Sequence, residues 1–434
     1  MSRPVMSRTV MLRAVLATCL LAAAFAWGVL VQRNRVFPYL LIREVTWKLG
    51  LFDAHRQPIS PRSRRTVQET AQQRLNTLGY LQTAPIRPDD DRSGVVLNNR
   101  NKSAPGLNFY KESASPEALL VDQDGLQVHV WRFDPGDSVE WIHAELSPED
   151  GAVIGVGKDD SIFRLSVDSE LEWRTPLRAH HDLHVREDSS IWALSRRHTR
   201  WPERYGDRTI LEDFVTVLSA DGEILDEFSL LEPFRGSAYE YLMPEVADFE
   251  FDAAFDIQHT NHVEVFDGTL ADQSPLFREG NVLVSFRTIN TIAILDPQTH
   301  KILWLWGPTN LAVQHHPRLL ENGRILVFDN GFEESRVLEI ELPLGKIAWE
   351  YKEGPSFHSS WGGSAQRLAN GNTLITNTRH GEVFETTPGG EVVWRFFNPR
   401  VDDGSMLPLP TGVNGRWNIW RMTRYQPDEL GFLD

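Results

Sequence analysis

The sequence predicts an all-β fold, a six-bladed β-propeller preceded by an N-terminal transmembrane helix. Three observations carry this: a recurring turn-and-strand phrase that ends in an aromatic, glycine-bearing turns between short β-rich runs, and one uncharged apolar run near the start. The phrase occurs as LQVHVW ending at Trp131, SELEW at Trp173, GEILDEF at Phe228, HKILW at Trp304, GKIAW at Trp349 and GEVVW at Trp394. A unit of this kind cannot bury its apolar face alone and must stack on neighbours, so six copies predict six stacked units. The last three aromatics stand 45 residues apart, a spacing that suits one four-stranded blade. The step from Phe228 to Trp304 is 76 residues and leaves room for an insertion, placed at 236–280.

Residues 14–31 carry no charge and follow Arg3, Arg8 and Arg13. At about 1.5 Å per residue they nearly cross a bilayer core as a helix, and the apolar run continues past the small-residue site Ala24-Phe25-Ala26, which favours an uncleaved anchor. Basic charge on the amino-terminal side orients the chain as a single-pass inner-membrane protein with residues 36–434 outside the cytoplasm, in the periplasm or otherwise extracytoplasmic. The expected domains are a cytoplasmic tip and anchor at 1–35, a linker with a short helix around 65–82 at 36–99, and the propeller at 100–434. The only cysteine, Cys19, lies in the apolar run, so no intrachain disulfide forms and the body must hold by packing. Asp and Glu number 60 against 44 Lys and Arg, with no long basic cluster in the body, which excludes nucleic acid as a partner.

From Gly106 the turn signals DQDG, SPEDG, SADG, ENG, ANG and TPGG bound strands of four to seven residues. The runs ILVF and LITN are expected to line the channel side, and EVFE and EVVW to be half exposed. The segment 417–428 is expected to supply one more strand, completing the first blade and removing the exposed edges of an open ring.

Fourteen histidines are present, nine of them in HHDLH at 180–184, QHTNH at 258–262, QHHP at 314–317, FHSS at 357–360 and RH at 379–380. One reading is a metal site, for which His180, His181, His184 and Asp182 supply donor atoms. Spacing does not support it, since HExxH and CxxC are absent and adjacent histidines on a strand point to opposite faces. Structural calcium near the blade axis stays open; no other cofactor is expected. The second reading is group transfer, in which a neutral imidazole attacks an electrophile and cationic neighbours stabilise charge on its oxygens. His259, His315, His358 and Arg336 come from successive late units and can meet at one mouth.

At these residues the chain resembles the arylsulfate sulfotransferase family, exported six-bladed propellers that move a sulfuryl group from one phenol to another. The resemblance rests on HTN at 259–261, NVLVSFRTINTIAILDPQTHKILW, QHHPRLLENGRILVFDNG, SRV at 335–337 and GGSAQRLANGNTLI, and spans most of residues 100–427. It implies a ping-pong cycle through a sulfated histidine, with a small-molecule aryl sulfate and a phenol as partners. By the same resemblance His259, His315 and Arg336 bind sulfate oxygens and steady the departing phenolate. His358 is the expected nucleophile and His380 its alternative. Asn261, His181, Trp361 and Phe357 are expected to contact substrate, and Trp306 is either aromatic wall or blade packing. The competing reading is a non-catalytic extracytoplasmic propeller that binds or assembles with an envelope protein.

Overall fold

Six largely antiparallel blade sheets follow one another along the chain, beside a small seventh sheet of Thr83–Pro85, Gly415–Trp417 and Val401–Asp402, in the computed structural model, which describes residues 83–85, 91–112, 115–136, 141–245, 255–402 and 415–433. The apolar run 14–31, the expected helix at 65–82 and residues 246–254 of the insertion lie outside the described residues. Among the described residues no helix is long and apolar enough to cross a membrane.

From the axis outward, blade 1 is built from Ile419–Tyr425, Leu107–Glu112, Glu117–Val121 and Gln127–Arg132. Blade 2 has Trp141–Leu146, Val153–Gly157, Ser161–Leu165 and Leu171–Pro176. Blade 3 has Ala179–Val185, Ile191–Arg200, Thr209–Leu218 and Ile224–Ser229, and blade 4 has Thr260–Val265, Val282–Phe286, Thr291–Asp296 and Lys301–Trp306. Blade 5 has His315–Leu319, Arg324–Asp329, Arg336–Glu341 and Lys346–Tyr351. Blade 6 has Ser364–Arg367, Thr373–Asn377, Glu382–Thr386 and Val392–Phe397, with Gly94–Asn98 added at its outer edge from the stretch read as linker.

The six phrase-ending aromatics all fall on fourth strands. Five of them are tryptophans whose indole N–H donates to a turn carbonyl of the next blade: Trp131 to Gly151, Trp173 to Ala220, Trp304 to Pro343, Trp349 to Pro388 and Trp394 to Gln123, at 2.8–2.9 Å. Four of these carbonyls belong to the turns SPEDG, SADG, TPGG and DQDG, so the two repeated sequence signals are the two halves of one blade-to-blade clasp. Phe228 has no N–H to give and packs its ring on Trp192 instead. Trp131→Phe is expected to lower stability by about 1–3 kcal/mol, because it leaves a buried carbonyl unpaired; urea unfolding of the single variant measures it.

The ILVF and LITN runs are second strands, not channel-lining ones. They are buried on both faces, between the inner strand and the next blade, which makes them continuously apolar. EVFE, expected to be half exposed, is a third strand with only Glu382 partly open. The channel is lined by the more polar inner strands. The expected closure is present: Ile419–Tyr425 pairs with Leu107–Glu112 in the register Met422↔Tyr110. It is locked by Arg424, which is fully buried, pairs with Glu385 of blade 6 and donates to Asn108 Oδ1 at 2.7 Å and to the Ala104 carbonyl at 3.0 Å.

Candidate active site

Five inner strands carry a register slip near their first residues. It lies between Ile419 and Arg421, Trp141 and His143, Ala179 and Leu183, Thr260 and His262, and His315 and Arg318. Within three of these stretches or at their edge, His181, His259 and His316 take φ of 55°, 48° and 48°, a left-handed conformation sparse among non-glycine residues. A bulge adds a residue and re-aims side chains. One result corrects the sequence expectation that His180 and His181 point apart: their Nδ1 atoms lie 2.9 Å from each other.

Three imidazoles gather at this end of the channel, each held through Nδ1. His259 stands three residues after Asp256, whose strand Phe255–Asp256 runs parallel to Ile210–Leu211. Asp256 accepts from His259 twice, at 2.8 Å from the backbone N–H and at 2.6 Å from Nδ1. His315 Nδ1 lies 2.7 Å from Asn330 Oδ1. The Asn330 amide is turned that way because its Nδ2 donates to the carbonyls of Ser359 and Gly362 at 2.8 and 2.6 Å. His180 Nε2 faces the Ser195 carbonyl at 3.2 Å, and a carbonyl only accepts. Neutral His180 therefore has a bare Nδ1, His181 donates to it, and His181 Nε2 is left with its lone pair. By the same logic Nδ1 carries a proton in His259 and in His315, and His315 Nε2 keeps its lone pair, which accepts from the Gly362 N–H at 3.3 Å.

The His181 and His259 rings are 4.7 Å apart, centroid to centroid, at 68°. Trp420 lies 6.1 Å from His181 and 5.9 Å from Trp361. Arg287 donates its backbone N–H to the His259 carbonyl at 3.2 Å. Burial first, and the Arg287 charge second, hold His315 down at about 3. Burial and then Arg196 hold His180 at about 3, and burial with His259 keeps His181 well below its ordinary value. Burial acting alone would raise the Asp256 carboxyl, but His259 and Arg196 override it and keep it ionised. Burial and the Asp256 charge push Asp213 up to about 7.

These shifts imply a stability profile. A histidine whose folded value is depressed binds fewer protons folded than unfolded, so each costs stability as pH falls below its unfolded value of about 6.5, by about 1.4 kcal/mol per unit. His180, His181, His184, His315 and His316 all act in this sense. Asp213, raised, acts in the opposite one, but five groups outweigh it. Denaturant midpoints are expected to be lower at pH 5.5 than at pH 7.5; equal midpoints would mean that the imidazoles protonate without cost.

Further down the channel, His143, Glu145 and Asp182 form the one group of three close metal-donor side chains among the described residues. Arg421 occupies its charge balance, donating to Glu145 at 2.8 Å and to Asp182 at 2.9 Å, while His262 Nδ1 meets Asp182 at 2.5 Å. A guanidinium already bonded to both carboxylates does not fit a calcium ion at this axial cluster.

The sequence model of the arylsulfotransferase (ASST) family matches residues 157–399, more than half the chain and all three imidazoles. The chain belongs to the arylsulfotransferase family. Membership suggests arylsulfate sulfotransferase activity. No curated protein matches the chain. Solved structures similar to this arylsulfotransferase-family chain include a protein of unknown function from Bacteroides caccae, 12% identical, covering 68% of this chain and 94% of that one with a TM-score of 0.46. A streptogramin B lyase is 14% identical over 79% and 97% with a TM-score of 0.44, and virginiamycin B lyase from Staphylococcus aureus is 10% identical over 78% and 98% with a TM-score of 0.43.

Of the residues expected from sequence, the arylsulfotransferase-family fold brings His181, His259 and His315 together and sets Trp361 beside them. Asn261 braces the mouth, donating to the Gln314 carbonyl at 2.8 Å. Arg336 is committed elsewhere: Asp329 at 2.8 Å, Glu350 at 3.1 Å and the Asn310 carbonyl at 2.6 Å take its donors. Phe357 is no wall of the mouth; it is 1% exposed and packs between blades 5 and 6 on Phe328, Tyr351 and Phe384. Trp306 is a fourth-strand packing residue. His358 is acted on by burial, Arg379 and the Gly331 backbone, and His380 is exposed next to Arg379. Arg287, Asp256 and Trp420 were missed. Arg287 ends the VLVSFR run one strand after HTN, which was its available signal, whereas nothing local marked Asp256 or Trp420.

Proposed function

We propose that this chain transfers a sulfuryl group from an aryl sulfate to a phenol through a sulfated histidine, with His315 as the nucleophile rather than His358 or His380. The observation that carries the reading is the set of three imidazoles, each engaged through Nδ1, beside Arg287 at one mouth. His315 is backed by a neutral amide and kept neutral, as a nucleophile must be. His259 is backed by a carboxylate that balances charge when its Nε2 carries a proton, as a general acid and base needs.

In the first step His315 Nε2 attacks sulfur, the S–O bond to the aryl group breaks, and the departing phenolate takes a proton from His259 Nε2. In the second, an acceptor phenol returns its proton to His259 as its oxygen attacks sulfur and the S–N bond breaks. Arg287 stabilises the sulfuryl oxygens, and the aryl ring lies toward Trp361 and Trp420. The uncharged run at 14–31 supports a membrane anchor that holds the propeller outside the cytoplasm.

Intact mass after brief exposure to 4-nitrophenyl sulfate tests this. The expected result is a gain of one sulfuryl group with a burst of nitrophenol, both lost in His315→Ala and kept in His358→Ala. The reverse pattern returns the nucleophile to His358. No adduct and no phenol from several aryl sulfates would remove transfer altogether and leave a binding propeller.

A further inference from the structure

We infer that Arg379, Ser360 and His358 form a second oxyanion site on the wall of the mouth, one that takes a carboxylate or sulfate group. Arg379 sits on the 3₁₀ turn Thr378–His380 that follows the second strand of blade 6. It is partly buried, and among the described residues its guanidinium makes one hydrogen bond, from Nη1 to Ser360 Oγ at 2.7 Å. Among the described residues no carboxylate lies within ion-pair distance of it. Its neighbours in the same two blades are built otherwise: Arg336 pairs with Asp329, Arg367 with Glu339 and Arg395 with Glu382. A guanidinium drawn out of water without a counter-charge is costly, and burial alone lowers its hold on the proton. A ligand that supplies the missing negative charge would offset that cost.

A second observation points the same way. His358 Nε2 is buried without a hydrogen-bond partner, and after burial the Arg379 charge is what most depresses the ring. The Ser360 hydroxyl accepts from Arg379 and retains its own hydrogen to donate. Guanidinium and hydroxyl supply donors, and a bound anion offsets the Arg379 charge and so favours a proton on His358 Nε2, which completes the complement of a carboxylate or sulfate. The loop that carries them is part of the mouth. The Ser359 carbonyl helps orient Asn330, which holds His315, and Trp361 faces Trp420.

Two sources share this chemistry: an anionic substituent on the aryl substrate, which rests on the transfer reading, and free sulfate, which does not. Thermal melting of the full chain with and without inorganic sulfate, in wild type and Arg379→Gln, reads the site directly. Sulfate is expected to raise the wild-type midpoint and not that of Arg379→Gln, and without sulfate the variant is expected to melt no lower than wild type, because an uncompensated charge has been removed. An equal sulfate response, or a variant that melts lower without sulfate, overturns the site and makes Arg379 a structural arginine. With 4-hydroxybenzoate and its methyl ester as acceptors, a substrate-binding site predicts that Arg379→Gln raises KM about tenfold for the acid alone. Discrimination between the acceptors assigns the site to substrate, and a sulfate effect without it assigns the site to free sulfate. A chain that shows the sulfate effect but forms no sulfuryl adduct keeps the site and loses the transfer reading.

Discussion

Asp256→Asn is expected to lower kcat by about 10²–10⁴-fold while leaving the fold intact. Asp256 accepts from His259 twice, from the backbone N–H and from the ring, and otherwise pairs with the Arg196 guanidinium at 3.7 Å, so it is a positioning residue acting through His259. With a neutral amide in its place, the imidazole is no longer held by a negative charge, and a protonated Nε2 loses its counter-ion. The loss should therefore depend on the leaving group. For a donor with a weakly basic phenolate, such as 4-nitrophenyl sulfate, little proton transfer is needed and the burst should survive. For the sulfate ester of an unsubstituted phenol, the rate should collapse. A variant that lost both donors equally would show that Asp256 only shapes the loop, and KM that rose while kcat held would place it in binding. The Phe255–Asp256 pairing with Ile210–Leu211 uses backbone groups, which is why the substitution is expected to fold.

Glu385→Ala is expected to cost about 3–5 kcal/mol of stability, the largest single loss predicted for this chain. Glu385 and Arg424 are both fully buried, so truncating the carboxylate strands a guanidinium in the core. The same carboxylate accepts from the Ala104 N–H at 2.7 Å and from Asn372 Nδ2 at 2.6 Å, so three donors lose their acceptor at once. Arg424 belongs to the closing strand of blade 1 and Glu385 to blade 6, and their bond is a latch on the ring. Urea unfolding of Glu385→Ala and of the double variant Glu385→Ala with Arg424→Met separates the terms. The double variant should recover part of the loss, because no unpaired charge remains. Equal losses would mean that packing, not charge, dominates at this seam.

The architecture was legible in the sequence because its signals are local and repeated. The turn phrases and their aromatics recur once per blade, and each Trp serves the same clasp on the next turn. The closing strand was legible for a related reason, since RWNIWRMTRY had the composition of a strand and no partner nearby in sequence. The layer order was less so: strands buried on both faces, such as RILVFD, resemble channel lining only if burial is equated with the axis, and here the axis is polar. Within the site, the histidine motifs identified which residue types to expect, but not their directions.

Sequence by itself determined six stacked units, the aromatic that ends each of them, the strand that closes the ring and the histidine motifs on its inner strands. Only the tertiary structure decided which imidazoles meet. His181, His259 and His315 come from three blades and are re-aimed by bulges with left-handed residues, a distortion that no strand periodicity contains. It likewise decided that Asp256 backs His259 and that Trp420, near the far end of the chain, stands beside His181. Such contacts are made by ring closure and blade packing, which join residues far apart in the chain, and the energy that selects them lies in burial and charge balance rather than in any local pattern.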